Sequence, residues 1–436
     1  MFEDGLEIEE NEANNNIEIH YLSDFQIEDF PKINTTVQYS KIYHDRLNVL
    51  KPIIIKKAKE IWGNECQYVE YSGQCKEMSK EDNYSQVIVG IIFKSMKDKP
   101  ILTNCIKTYK SVFNTPHYSR KDDIVFVDDK ISRMKTSLNP DNCVHGIVIG
   151  LKGKMLKRIF EVEDICYPQL SNIHLRNEFP EKDIFIAFLS GLEIGKISNL
   201  DLTYLQQFLN GFDANPWISK VSKIIFCGNS MEQPNQLEEV SRNSYRQKDI
   251  NSYCYKNILT QIEELDQFFS SIKSKELIIM PGHRDMNSII FPMPPLSKIL
   301  FKKLNLNNNI ELVENPVSFE ICGLKFTGSS GENILDMIAS TNNLSEIDCL
   351  KICIQSNLLF PTLPETLKCN PFAEFDPFLL KELPNIFFAG NCEKFDSSTY
   401  NSIKLITVPK YSVTKSIVLL NLKTLETKLV RLDAKI

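Results

Sequence analysis

Basic residues are absent from the first 31 positions, which hold ten acids (Glu3, Asp4, Glu7, Glu9, Glu10, Glu12, Glu18, Asp24, Glu28 and Asp29) and no lysine or arginine. A secretory leader needs a cationic start and an apolar core, so that reading is excluded and an intracellular protein is expected. Residues 1–31 read instead as an acidic, mobile tail with too little apolar surface to order itself. No apolar run approaches the roughly 18 residues of a membrane-spanning helix, so no contact with a membrane is expected. CxxC pairs are also missing. Twelve cysteines scattered from Cys66 to Cys392 therefore read as reduced, mostly buried thiols, with neither disulfides nor structural zinc. Histidine is scarcer still: from Leu175 to the end, 262 residues contain only His283.

What remains is ordinary globular usage, with 42% hydrophobic and 24% charged residues in 436 positions, a length that calls for two or three domains. Taking the ten N-terminal acids away from the net charge of −6 leaves the other 405 residues at +4. Such a body lacks the charge for autonomous, salt-driven binding to duplex DNA.

Residues 32–172 read as a short helical segment followed by an all-β module. Tyr43, Leu47 and Leu50 lie on one helical stripe and Ile54, Ala58, Ile61 and Trp62 on the next, with Pro52 between them splitting or sharply kinking the helix. Short β-rich runs follow at 87–93, 124–127, 144–149 and 155–162, and the pattern leaves a fifth strand unmarked. Four strands with room for one more suit an OB-fold. Leu151-Lys152-Gly153-Lys154 reads as a tight hairpin turn, giving a basic edge of Lys152, Lys154, Lys157 and Arg158, the candidate for a weak nucleic-acid contact. The aromatics Phe93, Phe126 and Phe160 read as core.

Residues 173–436 alternate strand and helix, a layered α/β pattern. Strands are expected at 184–189, 223–227, 276–280, 310–314, 318–321, 385–389, 404–408 and 417–421. In such sheets chemistry sits in the loops after the strands. Four of these loops carry a glycine: Leu189-Ser190-Gly191-Leu192, Cys227-Gly228-Asn229-Ser230, Met280-Pro281-Gly282-His283-Arg284-Asp285 and Ala389-Gly390-Asn391-Cys392-Glu393.

The order of these loops resembles the calcineurin-like metallophosphoesterases, whose loops read DxH, GDxxD, GNH and GHxH. The glycines match and the ligands do not. Ser190 and Leu192 stand in place of Asp and His, Asn229 replaces the metal-bridging Asp, Arg284 follows His283 where an imidazole belongs, and Asn391 and Glu393 replace two histidines. A two-metal site concentrates about +4 of charge and needs converging carboxylates and imidazoles, so no metal and no catalytic residues are expected. The loops read as vestigial, with Asp285 completing the third. Gly328-Ser329-Ser330-Gly331 lacks the lysine of a phosphate cradle and reads as a turn into a helix.

Over some 400 residues the chain further resembles the B-type accessory family of the eukaryotic replicative DNA polymerases α, δ and ε. The resemblance is carried by Tyr39-Ser40-Lys41-Ile42-Tyr43-His44-Asp45-Arg46-Leu47, Ser190-Gly191-Leu192-Glu193-Ile194-Gly195, Phe226-Cys227-Gly228-Asn229-Ser230 and Ile279-Met280-Pro281-Gly282 through Asp285. It continues in Phe291-Pro292-Met293-Pro294-Pro295-Leu296, Glu314-Asn315-Pro316, Phe326 through Asp336, Asn370-Pro371-Phe372 and Asp376-Pro377-Phe378. The short N-terminal region favours the δ branch.

The resemblance implies an OB-fold joined to an inactivated phosphoesterase domain, a two-sheet α/β sandwich, in a non-enzymatic nuclear subunit without cofactors. Its implied partners are the C-terminal metal-binding domain of the DNA polymerase δ catalytic subunit and the third polymerase δ subunit, with DNA and the sliding clamp reached indirectly, in DNA replication and repair. Two other readings remain open: an active metal-dependent phosphodiesterase or exonuclease, and a free single-stranded-DNA-binding OB protein.

Overall fold

The computed structural model describes residues 18–22, 38–79, 84–100, 117–168, 180, 182–212, 217–232, 244–304, 309–371 and 375–432. The chain opens with a short strand β1 (Ile19–Tyr21), the helix α1 (Ser40–Trp62) and the two-residue β2 (Gln67–Tyr68). Ile42, Leu47, Leu50, Ile54 and Ala58 form the buried stripe of α1, and Gly63 follows its end. The helix is not split at Pro52 but runs through it as one element. Pro52 and Asn48, whose carbonyl loses its partner to the proline, both lie on the exposed side, where water can take over that bond.

An antiparallel barrel follows, built from β3 (Gln86–Ser95), β4 (Ile124–Asp128), β5 (Arg133–Lys135), β6 (Val148–Leu156) and β7 (Ile159–Cys166). The strand order is β5-β4-β3-β6-β7. A bridge between Thr136 and Phe160 brings the two ends together. The unmarked fifth strand is thus Arg133–Lys135. Ile88, Ile92, Val125, Val127, Met134, Ile149, Leu151 and Phe160 fill the interior, while α1 covers Val89, Ile91 and Val148 on the outside.

Three sequence expectations fail here. The hairpin turn is at Lys157 and Arg158, both with positive φ (51° and 64°), whereas 151–154 lies inside β6. Gly153 marks a bulge: a Cβ there would sit 2.1 Å from the Glu161 carbonyl oxygen, and the β6–β7 register shifts between Lys152 and Gly153. Nor is β6 an edge. It pairs with β3 and β7, and Lys152 and Lys154 lie opposite Asp164 and Glu161, so acids face both lysines across the ladder. Of the three aromatics, only Phe160 is core. Phe93 and Phe126 are half-buried cross-strand partners on the outer face.

The second half contains β8 (Phe185–Leu189), α2 (Asn199–Leu209), β9 (Val221–Cys227), α3 (Ser244–Ser271), β10 (Glu276–Met280), β11 (Ile310–Leu312), β12 (Val317–Ile321) and β13 (Leu324–Ser329). Then come α4 (Glu332–Ala339), α5 (Glu346–Ser356), β14 (Ile386–Cys392), β15 (Asp396–Tyr400), β16 (Ile403–Pro409), α6 (Tyr411–Thr414), β17 (Ser416–Asn421) and β18 (Thr427–Arg431). They form two six-stranded sheets, ordered β1-β12-β13-β14-β16-β15 and β11-β10-β9-β8-β17-β18. Phe188, Ile225, Ile278, Phe319, Phe326, Phe388 and Ile406 interdigitate between the sheets. Leu189, Phe226 and Ile279 meet α2 and α3 on the far face of the second sheet. Phe387, Ala389 and Leu405 meet α4 and α5 on the far face of the first.

That last layer is continuous with the barrel interior in one hydrophobic cluster, so the two domains share a core. Arg46 of α1 reaches across it to the carbonyls of Phe360, Pro361 and Leu363, at 3.0, 2.7 and 3.1 Å. The boundary expected at 172/173 lies outside the described residues, as do 1–17 and 23–31 of the acidic tail and Phe372. Within the tail, Ile19–Tyr21 pairs antiparallel with Phe319–Ile321, so this piece belongs to the first sheet. Alternating burial of Ile19 and Tyr21 against Phe319 and Ile321 compensates for the acidic surroundings.

Candidate functional site: the loops at the strand ends

β8, β9 and β10 are parallel neighbours in one sheet, and β13, β14 and β16 in the other, so their C-terminal ends form one rim. All four glycine loops converge there, joined by Ser330 and Gly331 after β13. The packing is backbone on backbone. Gly331 has φ +96°, and a Cβ on it would lie 1.9 Å from the Gly390 carbonyl oxygen. Asn229 and Asn391, each following a glycine, take the left-handed conformation (φ 55° and 52°) that asparagine tolerates better than most residues.

Each substituted position is tied into the scaffold. The Ser190 hydroxyl lies 3.1 Å from both the Val408 and Pro409 carbonyl oxygens and accepts the Asn391 amide at 2.9 Å. Asn391 Nδ2 donates to the carbonyls of Cys227 (3.0 Å) and Ser330 (2.8 Å), tying the second loop to the fourth and to the turn after β13. Asn229 Oδ1 accepts the Arg284 amide at 3.1 Å. Leu192 is buried in the cluster beneath α2 and α3. Asp285 accepts the backbone amides of Gly282 (2.7 Å) and Met231 (3.0 Å). Burial pushes its carboxyl up to about 6, against these amide bonds, which favour the charged form.

Further polar contacts complete the site. Arg284 donates to Glu193 Oε1 at 2.8 Å. The other Glu193 oxygen accepts from Lys196 (2.9 Å) and Ser412 (2.8 Å). Burial opposes the charge on Glu193, yet these donors hold its carboxyl below the usual glutamate range. Glu332 at the start of α4 accepts the His283 amide at 3.0 Å and has His283 Nδ1 3.5 Å away. There too burial raises the carboxyl, and the contacts with His283 and Ser330 outweigh it, leaving it low. Asn315 donates to the Ser330 hydroxyl at 2.6 Å. Glu193, Glu332 and Asn315 lie in segments that carry the family resemblance, where nothing in the sequence assigns them a role. The usable signal was an acid just downstream of two of the glycine turns, close to the loop that carries Arg284.

Of the candidates on the four loops, Glu393 does not converge. It is exposed, and its amide donates to Glu346 at 2.6 Å. Lys152, Lys154, Lys157 and Arg158 are on the barrel, outside the rim. The donor set does not fit a divalent metal pair: the Ser190 hydroxyl and Asn229 Oδ1 are engaged with backbone groups, Asn391 is held through Nδ2 with its Oδ1 left without a partner, and the permanently charged Arg284 guanidinium is held beside Glu193. Among the described residues no three His, Cys, Asp or Glu side chains come together as a metal site. No helix among them is long and apolar enough to cross a membrane.

Comparison with known proteins agrees with this architecture. Residues 38–165 match the DNA polymerase delta subunit OB-fold domain family, and residues 186–397 match the family of the DNA polymerase alpha/epsilon B subunit. The DNA polymerase delta small subunit of Arabidopsis thaliana is 30% identical over 408 residues, covering 89% of this chain and 90% of the relative. That of Saccharomyces cerevisiae is 28% identical, covering 91% and 89%. Among solved structures, a novel archaeal phosphodiesterase overlaps 57% of this chain and 100% of its own, at 15% identity and a TM-score of 0.30. A Vps29 from Cryptosporidium parvum overlaps 58% and 97%, at 12% identity and a TM-score of 0.27. Overlaps this loose carry no argument about function. With a barrel and a two-sheet sandwich in the expected order, and a 30% identical relative matched along nearly its whole length, the chain belongs to the DNA polymerase delta small-subunit family.

Proposed function

We propose that this chain is the non-catalytic scaffold subunit of a DNA polymerase δ. It bridges the C-terminal metal-binding domain of the catalytic subunit and the third, clamp-linking subunit, and it acts in the nucleus in replication and repair synthesis. The observation that carries this reading is the Arg284–Glu193 pair. A guanidinium bound to the buried carboxylate leaves the loop rim with a fixed cation where phosphoester hydrolysis by metal ions needs anionic ligands. The loops are nonetheless tightly built, as a surface kept for binding would be. Met286, Ile289 and Ile290, on the loop that follows Asp285, are 48%, 41% and 38% exposed, an apolar cluster of the kind that marks protein contacts.

Co-expression with the polymerase δ catalytic subunit tests the reading. A complex that survives gel filtration is expected, through an interface of roughly 1,200 Å² or more. Failure of the two chains to associate, or manganese-dependent hydrolysis of a phosphodiester that His283→Ala abolishes, contradicts it.

A further inference from the structure

We propose that the outer face of β3, β4 and β5 is a binding site for single-stranded nucleic acid, with Arg133 as the platform on which an unpaired base stacks. The site is distinct from the loop rim and from the Lys152 to Arg158 strip. Its elements are set by register. Phe93 faces Phe126, Phe126 faces Lys135, and Asp128 faces Arg133, so the two aromatics and two cations share one side of the sheet. The Arg133 guanidinium carbon lies 3.7 Å from the Phe93 ring centroid. Two hydrogen bonds to Asp128 Oδ2, from Nε at 3.0 Å and from the terminal nitrogen at 2.8 Å, fix its plane. The side chain is 45% exposed. The result is a pre-oriented planar cation with an aromatic ring beneath and an open face, the arrangement on which unstacked bases lie.

Beside this platform is a cavity of about 180 Å³ lined by Tyr43, His44, Phe93, Lys130, Arg133 and His145, among others. It is smaller than the pockets of several hundred Å³ that take drug-sized ligands, and of the order of one planar ring system. Lys99 Nζ lies 6.0 Å from the Phe93 centroid. Lys99, Lys130, Arg133 and Lys135 outnumber the nearby Asp128 and Glu365, which gives the face a local excess of positive charge on an almost neutral body. That excess suits a few backbone phosphates. The centres of protein–protein interfaces are depleted in charge, and the exposed apolar residues on these strands and their turn are scattered, chiefly Ile124 (37% exposed) and Ile131 (69%). In OB-folds the face of the second and third strands is where oligonucleotides lie, and here those strands are β4 and β5.

Fluorescence anisotropy of the full chain with labelled dT20 and rU20 tests the assignment, the two strands separating DNA from RNA as the ligand. Saturable binding that weakens with salt is expected, with Arg133→Glu and Lys135→Gln each lowering affinity, the former roughly tenfold or more. Lys135→Gln leaves the Asp128 pair in place, so an unfolding midpoint equal to wild type separates lost contact from lost structure. Binding unaffected by both substitutions but abolished by Lys152→Glu with Lys154→Glu overturns the assignment. So does the absence of saturable binding into the high-micromolar range at low salt.

Discussion

Arg46 and Asp376, 330 positions apart in the chain, form an ion pair of 2.6 Å between Nε and Oδ2 with both side chains fully buried. It joins the first and the last of the sequence segments that carry the family resemblance, and it does so across the junction of barrel and sandwich. Three further guanidinium donors are used by the carbonyls of Phe360, Pro361 and Leu363. Removing either partner strands a charge in the shared core. Arg46→Met or Asp376→Leu alone is therefore expected to cost about 3–5 kcal/mol of unfolding free energy. The double substitution is expected to cost less than the sum of the two, as a double-mutant cycle in urea will show.

Arg284 holds the rim in the same way on a smaller scale. Arg284→Ala leaves Glu193 with Lys196 and Ser412 as partners, so a loss of about 1–3 kcal/mol is expected, with association to the catalytic subunit weakened if the rim is part of that contact. Glu193 has a depressed carboxyl in the folded state. The stability it contributes is therefore present above the ordinary glutamate range and is lost as pH falls through the folded value. Arg284→Ala should narrow the acid limb of the wild-type stability profile.

His145 gives a pH dependence that can be isolated. Burial, reinforced by Lys99, Arg46, Arg133 and Lys94, lowers its imidazole to about 3. Its Nδ1 accepts the Lys94 amide at 3.1 Å and its Nε2 lies 3.2 Å from the Tyr43 hydroxyl, which fixes the neutral tautomer with the proton on Nε2. The unfolded chain takes up a proton near pH 6.5 and the folded one does not. Stability is thus full above that value and falls as pH drops, by about 1.4 kcal/mol per unit. His145→Gln should flatten the unfolding free energy between pH 6.5 and 5 by roughly 2 kcal/mol relative to wild type.

Gly331 is the tightest point of the rim. Its φ of +96° and the 1.9 Å approach to the Gly390 oxygen leave no room for a methyl group. Gly331→Ala should destabilise the chain by more than about 2 kcal/mol, above the ordinary glycine-to-alanine effect.

The apolar strands were legible. The run Glu276–Met280 needs no correction, and the strands around 184–189, 223–227 and 417–421 shift by one or two residues, because strands buried between two layers read as continuous hydrophobic runs. Leu324–Ser329 was hidden by Lys, Thr, Gly and Ser, whose side chains are buried by hydrogen bonds as much as by packing: Ser318 lies 3.2 Å from Thr327. Asp396–Tyr400 and Thr427–Arg431 end their sheets and carry little apolar signal, Leu429 and Val430 apart, because one side meets solvent. Gly153 was legible as a special position and misread as a turn, since a bulge and a hairpin ask for the same residue. At the rim the four glycine loops and their order were legible. The partners Glu193, Glu332 and Asn315 were not, because sequence distance does not reveal which loop meets which. The Phe93–Phe126 face was likewise hidden, since an aromatic on a half-covered strand has the same spelling as one in the core.

Calorimetric titration of the purified full chain with manganese tests most directly whether the rim has too few anionic and imidazole groups for a pair of divalent ions. Heats indistinguishable from dilution are expected. Saturable binding of one or two ions per chain, lost on His283→Ala or Asp285→Ala, contradicts it.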